Sequence, residues 1–186
     1  MSIQILHTGI NECTIELQPL IGDADGAVLH MLPGGTDNKE GFGKILDLYA
    51  STAKGLGVSR GGHYHPILDE FFFTMTGTAL WILSDFRTDS PTYKKTVALI
   101  ASFDKPTETF DLPTYTTLDG ALPRLRVPHG VYHTFYPLTD ERVTIVAVGS
   151  TAYDKTDYVY PTADEVPEMQ KILLRCGIDA QKRIHQ

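Results

Sequence analysis

Between residues 51 and 150 the chain alternates short β-branched or aromatic runs with turn residues, and this pattern limits it to few folds. Phe71 to Met75 and Ala79 to Leu83 flank Thr76–Gly77–Thr78, which reads as a hairpin. Val97 to Ala101, Leu125 to Val127 and Val131 to Tyr136 are further short strands, and Arg142 to Gly149 alternates apolar and polar residues. Pro106 and Pro113 make residues 104–117 a loop or edge segment. Short strands separated by turn residues point to an all-β sandwich or barrel.

The flanks read differently. Residues 1–50 form an opening arm, with strand content at Ile3 to Leu6, Cys13 to Leu17 and Ala27 to Leu32. Turns fall at Asp23 to Gly26 and at Pro33 to Asn38. Lys44 to Ala50 fits a strand or a helix. Over residues 162–176 the pattern becomes helical: Thr162 and Glu165 fit a capping box, Pro167 falls in the first turn, and Gly177 is placed to end the helix. The organisation expected is an arm (1–50), a barrel (51–160) and a C-terminal helix and tail (161–186), one domain in all.

Composition removes several functions. The net charge of −7 argues against a nucleic-acid partner and against an anionic membrane surface. With two cysteines, Cys13 and Cys176, and no CxxC pair, a zinc ribbon or thioredoxin-type site is excluded, and two reduced thiols are expected. The first residues lack the pattern of a signal peptide, and no apolar run approaches the ~20 residues of a membrane span, so a cytoplasmic protein is expected.

The chemistry concentrates in Gly57 to Gly77 and Pro128 to His133. Side chains two apart on a strand share a face, so His63 and His65 point together and Tyr64 points away. Glu70 lies five positions beyond His65, an odd offset that needs a turn or bulge, which Pro66 can begin. Phe72, Thr74 and Thr76 then share the face of Glu70, while Phe71, Phe73 and Met75 pack behind. His133 arrives from a distant strand. Three imidazoles and one carboxylate suit iron, manganese, nickel, cobalt, zinc or copper, so one divalent metal ion is the expected cofactor. Four protein ligands leave an octahedral ion two open positions.

These two stretches resemble the motifs of the cupin superfamily. Gly57, His63, His65, Glu70 and Gly77 fit the first motif, and Pro128, Gly130 and His133 the second. Leu122 and Pro137 stand where that motif has Gly and Asn. The resemblance implies a double-stranded β-helix (jelly-roll) barrel, a metal in its mouth, and a homodimer. A narrower resemblance covers residues 58 to about 165. Arg60 to Tyr64, Asp85 to Tyr93 and Val127 to Phe135 are similar to dTDP-4-dehydrorhamnose 3,5-epimerase. It implies that Arg60 contacts the nucleotide phosphates and that His63 matches the catalytic base. That family is metal-free, has Gln at the position of His65, and carries its general-acid Tyr near the position of Val146. The chain therefore reads as an epimerase frame with a metal site in place of the epimerase acid.

Three uses follow. The first is a metal-dependent isomerase or epimerase of a sugar or sugar nucleotide, with Tyr64, Tyr132 and Tyr136, and beside them His129, as candidates to move the proton. The second is a metal-dependent dioxygenase or lyase acting on a small organic acid. The third is a non-catalytic protein that binds metal and sugar.

Overall fold

The computed structural model describes residues 3–23, 26–31, 45–117 and 120–179. The strands are β1 (Gln4–His7), β2 (Thr14–Pro19), β3 (Ile21–Asp23), β4 (Gly26–Val28), β5 (Asp47–Lys54), β6 (Arg60–His63) and β7 (Glu70–Thr76). They continue as β8 (Thr78–Asp85), β9 (Thr96–Ser102), β10 (Thr114–Thr116), β11 (Ala121–Val127), β12 (Val131–Pro137) and β13 (Arg142–Gly149). A six-stranded sheet runs β1-β2-β11-β7-β13-β5 and a five-stranded sheet runs β10-β9-β8-β12-β6, and a small hairpin pairs β3 with β4. This is the jelly-roll architecture that the resemblance implied, within the sandwich or barrel class to which the strand pattern pointed. Among the described residues no helix is long and apolar enough to cross a membrane.

Alternation along each strand fills the space between the two sheets. Phe72, Trp81, Leu83, Phe135, Ile145 and Ala147 meet there in one buried cluster. The intervening residues cover the outer faces. On the large sheet Phe71, Phe73, Leu122 and Val148 pack beneath Leu20, Leu29, Met31 and Ile45. The split of Phe72 from Phe71 and Phe73 is the one that strict alternation requires. On the same outer face Arg124, fully buried, pairs with Glu16 and lies over the Phe71 ring, 4.2 Å from its centre.

The arm is not a separate layer, because β2 pairs with β11 and β5 pairs with β13 inside the large sheet. Of the segment Lys44 to Ala50, the residues from Asp47 onward form a strand, and Lys44 lies outside the described residues. The loop expected at Pro33 to Asn38, and the middle of the turn at Asp23 to Gly26, lie outside the described residues.

The single helix expected over residues 162–176 is two pieces. Thr162 N–H donates to Glu165 Oε2 at 2.7 Å, so the capping pair forms, but on a 3-10 turn at Ala163–Glu165. Pro167 disfavours helical backbone at Val166, which is extended, and Glu168 turns left-handed at φ 59°. A seven-residue helix, α1 (Met169–Arg175), follows. So short a helix is marginal alone. Met169, Ile172 and Leu173 hold it by burial against Leu80, Ile82, Tyr132 and Tyr136, each such side chain worth roughly 1.5–3 kcal/mol.

Candidate functional site

Strand pairing explains how distant residues meet. In the small sheet β6 lies antiparallel to β12 with His63 opposite His133, and a bulge follows at His133/Thr134. The approach is close at Gly61, where an added Cβ would stand 2.7 Å from the His133 carbonyl oxygen and φ is +82°. After His63 the chain leaves the small sheet and crosses to the large one, where Glu70 opens β7 opposite Gly149. The odd offset between His65 and Glu70 is therefore a change of sheet rather than a bulge in one strand. The crossing is pinned from a distance: Ile67 N–H and Leu68 N–H donate to Asp157 Oδ1 and Oδ2, both at 3.0 Å. Gly130 N–H donates to the His65 carbonyl at 2.7 Å and ties the second motif to the first.

The result is a cluster in which the ring nitrogens of His63, His65 and His133 lie within 4.8 Å of one another. Glu70 Oε2 stands 3.5 Å from His65 Nε2 and 3.3 Å from His133 Nε2. Backbone carbonyls set both imidazoles: His65 Nδ1–H donates to Asp157 O at 2.6 Å and His133 Nδ1–H to Val131 O at 3.1 Å. Each Nε2 therefore offers a lone pair toward Glu70. Nε2 of His65, Oε2 of Glu70 and Nδ1 of His63 are buried with no hydrogen-bond partner. Acceptors facing acceptors without a donor are unfavourable in a buried site. Burial pulls His63 down to about 4 and His133 well below the usual histidine value, and pushes the Glu70 carboxyl up to about 8 against the Tyr49 hydrogen bond.

A divalent ion fits this donor set. Ligands bound at ~2.1 Å lie ~3.0 Å apart at a right angle and ~3.4 Å apart at the tetrahedral angle, close to the separations from Glu70. Imidazoles whose far nitrogens donate to fixed carbonyls are the usual support of metal-binding histidines.

The other expected residues are placed elsewhere. Tyr64 stacks on Phe86 with ring centres 5.3 Å apart, behind the sheet. Tyr132 and Tyr136 are buried in the cluster under α1, and Tyr132 OH points at Met169 Sδ, 3.9 Å away. The structure does not bring these three phenols to the imidazoles. His129 is bound by Asp69 at the surface, Nδ1 to Oδ1 2.9 Å. Arg60 is exposed at the start of β6, and its guanidinium donates to the carbonyls of Thr52 and Ser59. Val146 packs on the outer face of the large sheet, so β13 turns Val143, Ile145 and Ala147 inward and supplies no phenol there.

Three residues not singled out from sequence complete the site. Tyr49 donates its hydroxyl to Glu70 Oε1 at 2.6 Å. Burial first, then the charge of Glu70, keeps that phenol protonated far above its usual value. The Tyr158 ring covers the imidazoles, centred 4.4 Å from His65 and 4.8 Å from His63. Asp157 sits beside it in a strap held to Tyr64 by two backbone hydrogen bonds of 3.0 Å with Val159. Alternation from Tyr49 through Ser51 to Ala53 was the one sequence signal for an inward Tyr49. For the strap there was none.

No family model matches the chain, and no curated protein matches it in sequence. Solved structures do match in fold. A dTDP sugar isomerase from Desulfovibrio desulfuricans G20 is 18% identical, over 89% of this chain and 93% of that one, with a TM-score of 0.67. A dTDP-6-deoxy-D-glucose-3,5-epimerase from Legionella pneumophila Philadelphia 1, in complex with dTDP-4-keto-L-rhamnose, is 18% identical over 89% and 81%, with a TM-score of 0.69. A dTDP-4-dehydrorhamnose 3,5-epimerase from Sulfolobus tokodaii is 19% identical over 89% and 85%, with a TM-score of 0.68. At these identities the likeness establishes the fold.

Proposed function

We propose that this chain is a divalent-metal-binding isomerase or epimerase acting beside the carbonyl of a sugar or sugar nucleotide. One observation carries the reading: His65 Nε2 and His133 Nε2 converge on Glu70 Oε2 within 3.5 Å, and His65 Nε2 and Glu70 Oε2 are buried with no hydrogen-bond partner. The fold, shared with structures that act on dTDP-sugars, supports the substrate class.

His63, His65, His133 and Glu70 are the residues that would hold the ion. Iron, manganese, nickel, cobalt, zinc and copper are its candidates. When bound, a divalent ion polarises a carbonyl oxygen and offsets the charge that develops as the neighbouring C–H loses its proton. Tyr158, half-buried over the imidazoles, is the phenol we assign to returning a proton to the enolate carbon, the C–H proton having passed to a solvent base, because Tyr64, Tyr132 and Tyr136 lie behind the sheet. Its hydroxyl is pushed up to about 12, chiefly by burial, so it serves as a donor at neutral pH. The exposed Arg60, close along β6 to His63, is assigned to the anionic end of the substrate. The homodimer implied by the resemblance is part of the same proposal, and light scattering tests it.

The test has two steps. Metal analysis of the purified protein and of His65→Ala establishes the ion. NMR of deuterium uptake from D2O into 4-keto and other keto-sugar nucleotides then reports the proton transfer. A metal-loaded protein that exchanges no carbon-bound hydrogen sinks the isomerase reading.

One observation favours a second reading. Two imidazoles and one carboxylate within 3.5 Å form the ligand set of iron(II) oxygenases. Oxygen consumption with iron(II) across a panel of small organic acids separates the two. A metal-loaded protein silent in both assays leaves a binding protein.

A further inference from the structure

Tyr49 is two strands away from Glu70. It stands on β5, an edge of the large sheet, opposite Ala147 of β13, and Glu70 lies on the far side of β13 opposite Gly149. Residues on the same face of neighbouring strands normally fill the space between them. Here the two inward positions of β13 between Tyr49 and Glu70 are alanine and glycine. That gap lets the phenol pass across β13 and reach Glu70 Oε1 at 2.6 Å. The passage is narrow, because a Cβ at Gly149 would stand 3.0 Å from Leu68 Cδ1 and 3.3 Å from Asp47 Cβ.

The contact divides the two carboxylate oxygens. Oε1 accepts a hydrogen bond from the phenol, while Oε2 is buried, has no hydrogen-bond partner and faces two imidazole nitrogens. A carboxylate with both oxygens free can take two positions on an ion. One with an oxygen held by a short, charge-assisted hydrogen bond takes one.

We propose that Tyr49 is a positioning residue that holds Glu70 to a single metal bond. This rests on the metal-site reading above and extends it to the substrate. On a six-coordinate ion, three imidazoles and one carboxylate oxygen would occupy four positions. The two left over would accept a ligand offering two oxygens on neighbouring carbons, as a hydroxy-ketone does.

The test uses the full chain, stripped with chelator and loaded with cobalt(II), whose visible absorption reports coordination number and geometry. Tyr49→Phe is expected to bind cobalt(II) about tenfold more weakly or worse, the usual range for losing an outer hydrogen bond to a ligand. Its cobalt spectrum is expected to differ from that of the unaltered protein. A melting curve of metal-free Tyr49→Phe confirms that it is folded. Should it not fold, X-ray absorption of the cobalt-loaded unaltered protein decides the question, with one carboxylate oxygen expected on the ion. Cobalt binding with unchanged affinity and spectrum in Tyr49→Phe, or two Glu70 oxygens on the ion, overturns the role of Tyr49 and leaves the metal site standing. No cobalt binding by the unaltered protein overturns both.

Discussion

His65 donates its Nδ1–H to the main-chain carbonyl of Asp157, 2.6 Å away across 92 residues of sequence. The side chain of Asp157 at the same time accepts from Ile67 N–H and Leu68 N–H. One residue thus sets the tautomer of a ring and the path of the crossing that delivers Glu70. Asp157→Ala leaves two N–H groups without acceptors. It is expected to cost roughly 1–3 kcal/mol of stability in urea titration and to weaken metal binding about tenfold or more in calorimetry. A variant with full metal affinity would show that the strap does not position the ligands.

Metal removal has a predictable thermal effect. With free metal at about 100 times its dissociation constant, binding adds about 2.7 kcal/mol to the folded state. In a chain of this length that corresponds to a Tm roughly 5–10 °C higher than in chelator. His133→Ala and Glu70→Ala are expected to lose most of that difference. Equal melting with and without every candidate ion would contradict the site.

The phenols separate by face. Tyr158→Phe is expected to slow deuterium exchange by on the order of 10²–10⁴, the usual contribution of a positioned acid or base. Tyr132→Phe removes a hydroxyl that interacts with Thr134 and points at a thioether 3.9 Å away under α1, so exchange is expected to stay within about twofold and stability within about 1 kcal/mol. The reverse order of effects would place the proton donor behind the sheet.

Gly61→Ala tests the join of β6 to β12. Its φ of +82° is strained for any side chain, and the new methyl meets the His133 carbonyl at 2.7 Å. The expected loss is on the order of 1–3 kcal/mol. Metal affinity should fall with it, because β6 cannot keep its register on β12 if it moves away.

Asp85 makes the acid limb of stability predictable. Burial raises its carboxyl, but hydrogen bonds from Arg87, Ser90 and Thr92 outweigh that and bring it from 3.8 to about 2. A carboxyl depressed in the folded state stabilises above its unfolded value and loses that stability as pH falls through the folded one. The contribution, about 2 kcal/mol, is therefore whole above pH ~4 and gone near pH 2. Asp85→Asn is expected to be less stable at pH 7, with a gap to the unaltered protein that closes between pH 4 and 2 in urea titrations. A gap independent of pH would mean that the pairing with Arg87 does not set it.

The residues of the imidazole–carboxylate cluster, which we propose as metal ligands, were legible because they lie in two short stretches with local periodicity. His63 and His65 share a face by strand geometry alone, and Phe72 parts from Phe71 and Phe73 by the same rule. The phenols were not legible. Tyr64, Tyr132 and Tyr136 are near the histidines in sequence, yet neighbouring residues of a strand face opposite ways and these three lie behind the sheet. The helix over residues 162–176 was misread at Pro167, where extended backbone at Val166 overrode a good capping pair.

By itself the sequence determined an all-β sandwich or barrel and the four residues of the cluster, because alternation, turn residues and side-chain spacing act within a few residues of one another. Only the tertiary structure decided that Tyr49 would hold Glu70, that Asp157 would fix His65, and that Tyr158 would cover the imidazoles. These contacts join segments that no local rule relates. They depend on which strands lie side by side and on the small residues that leave a side chain room to cross.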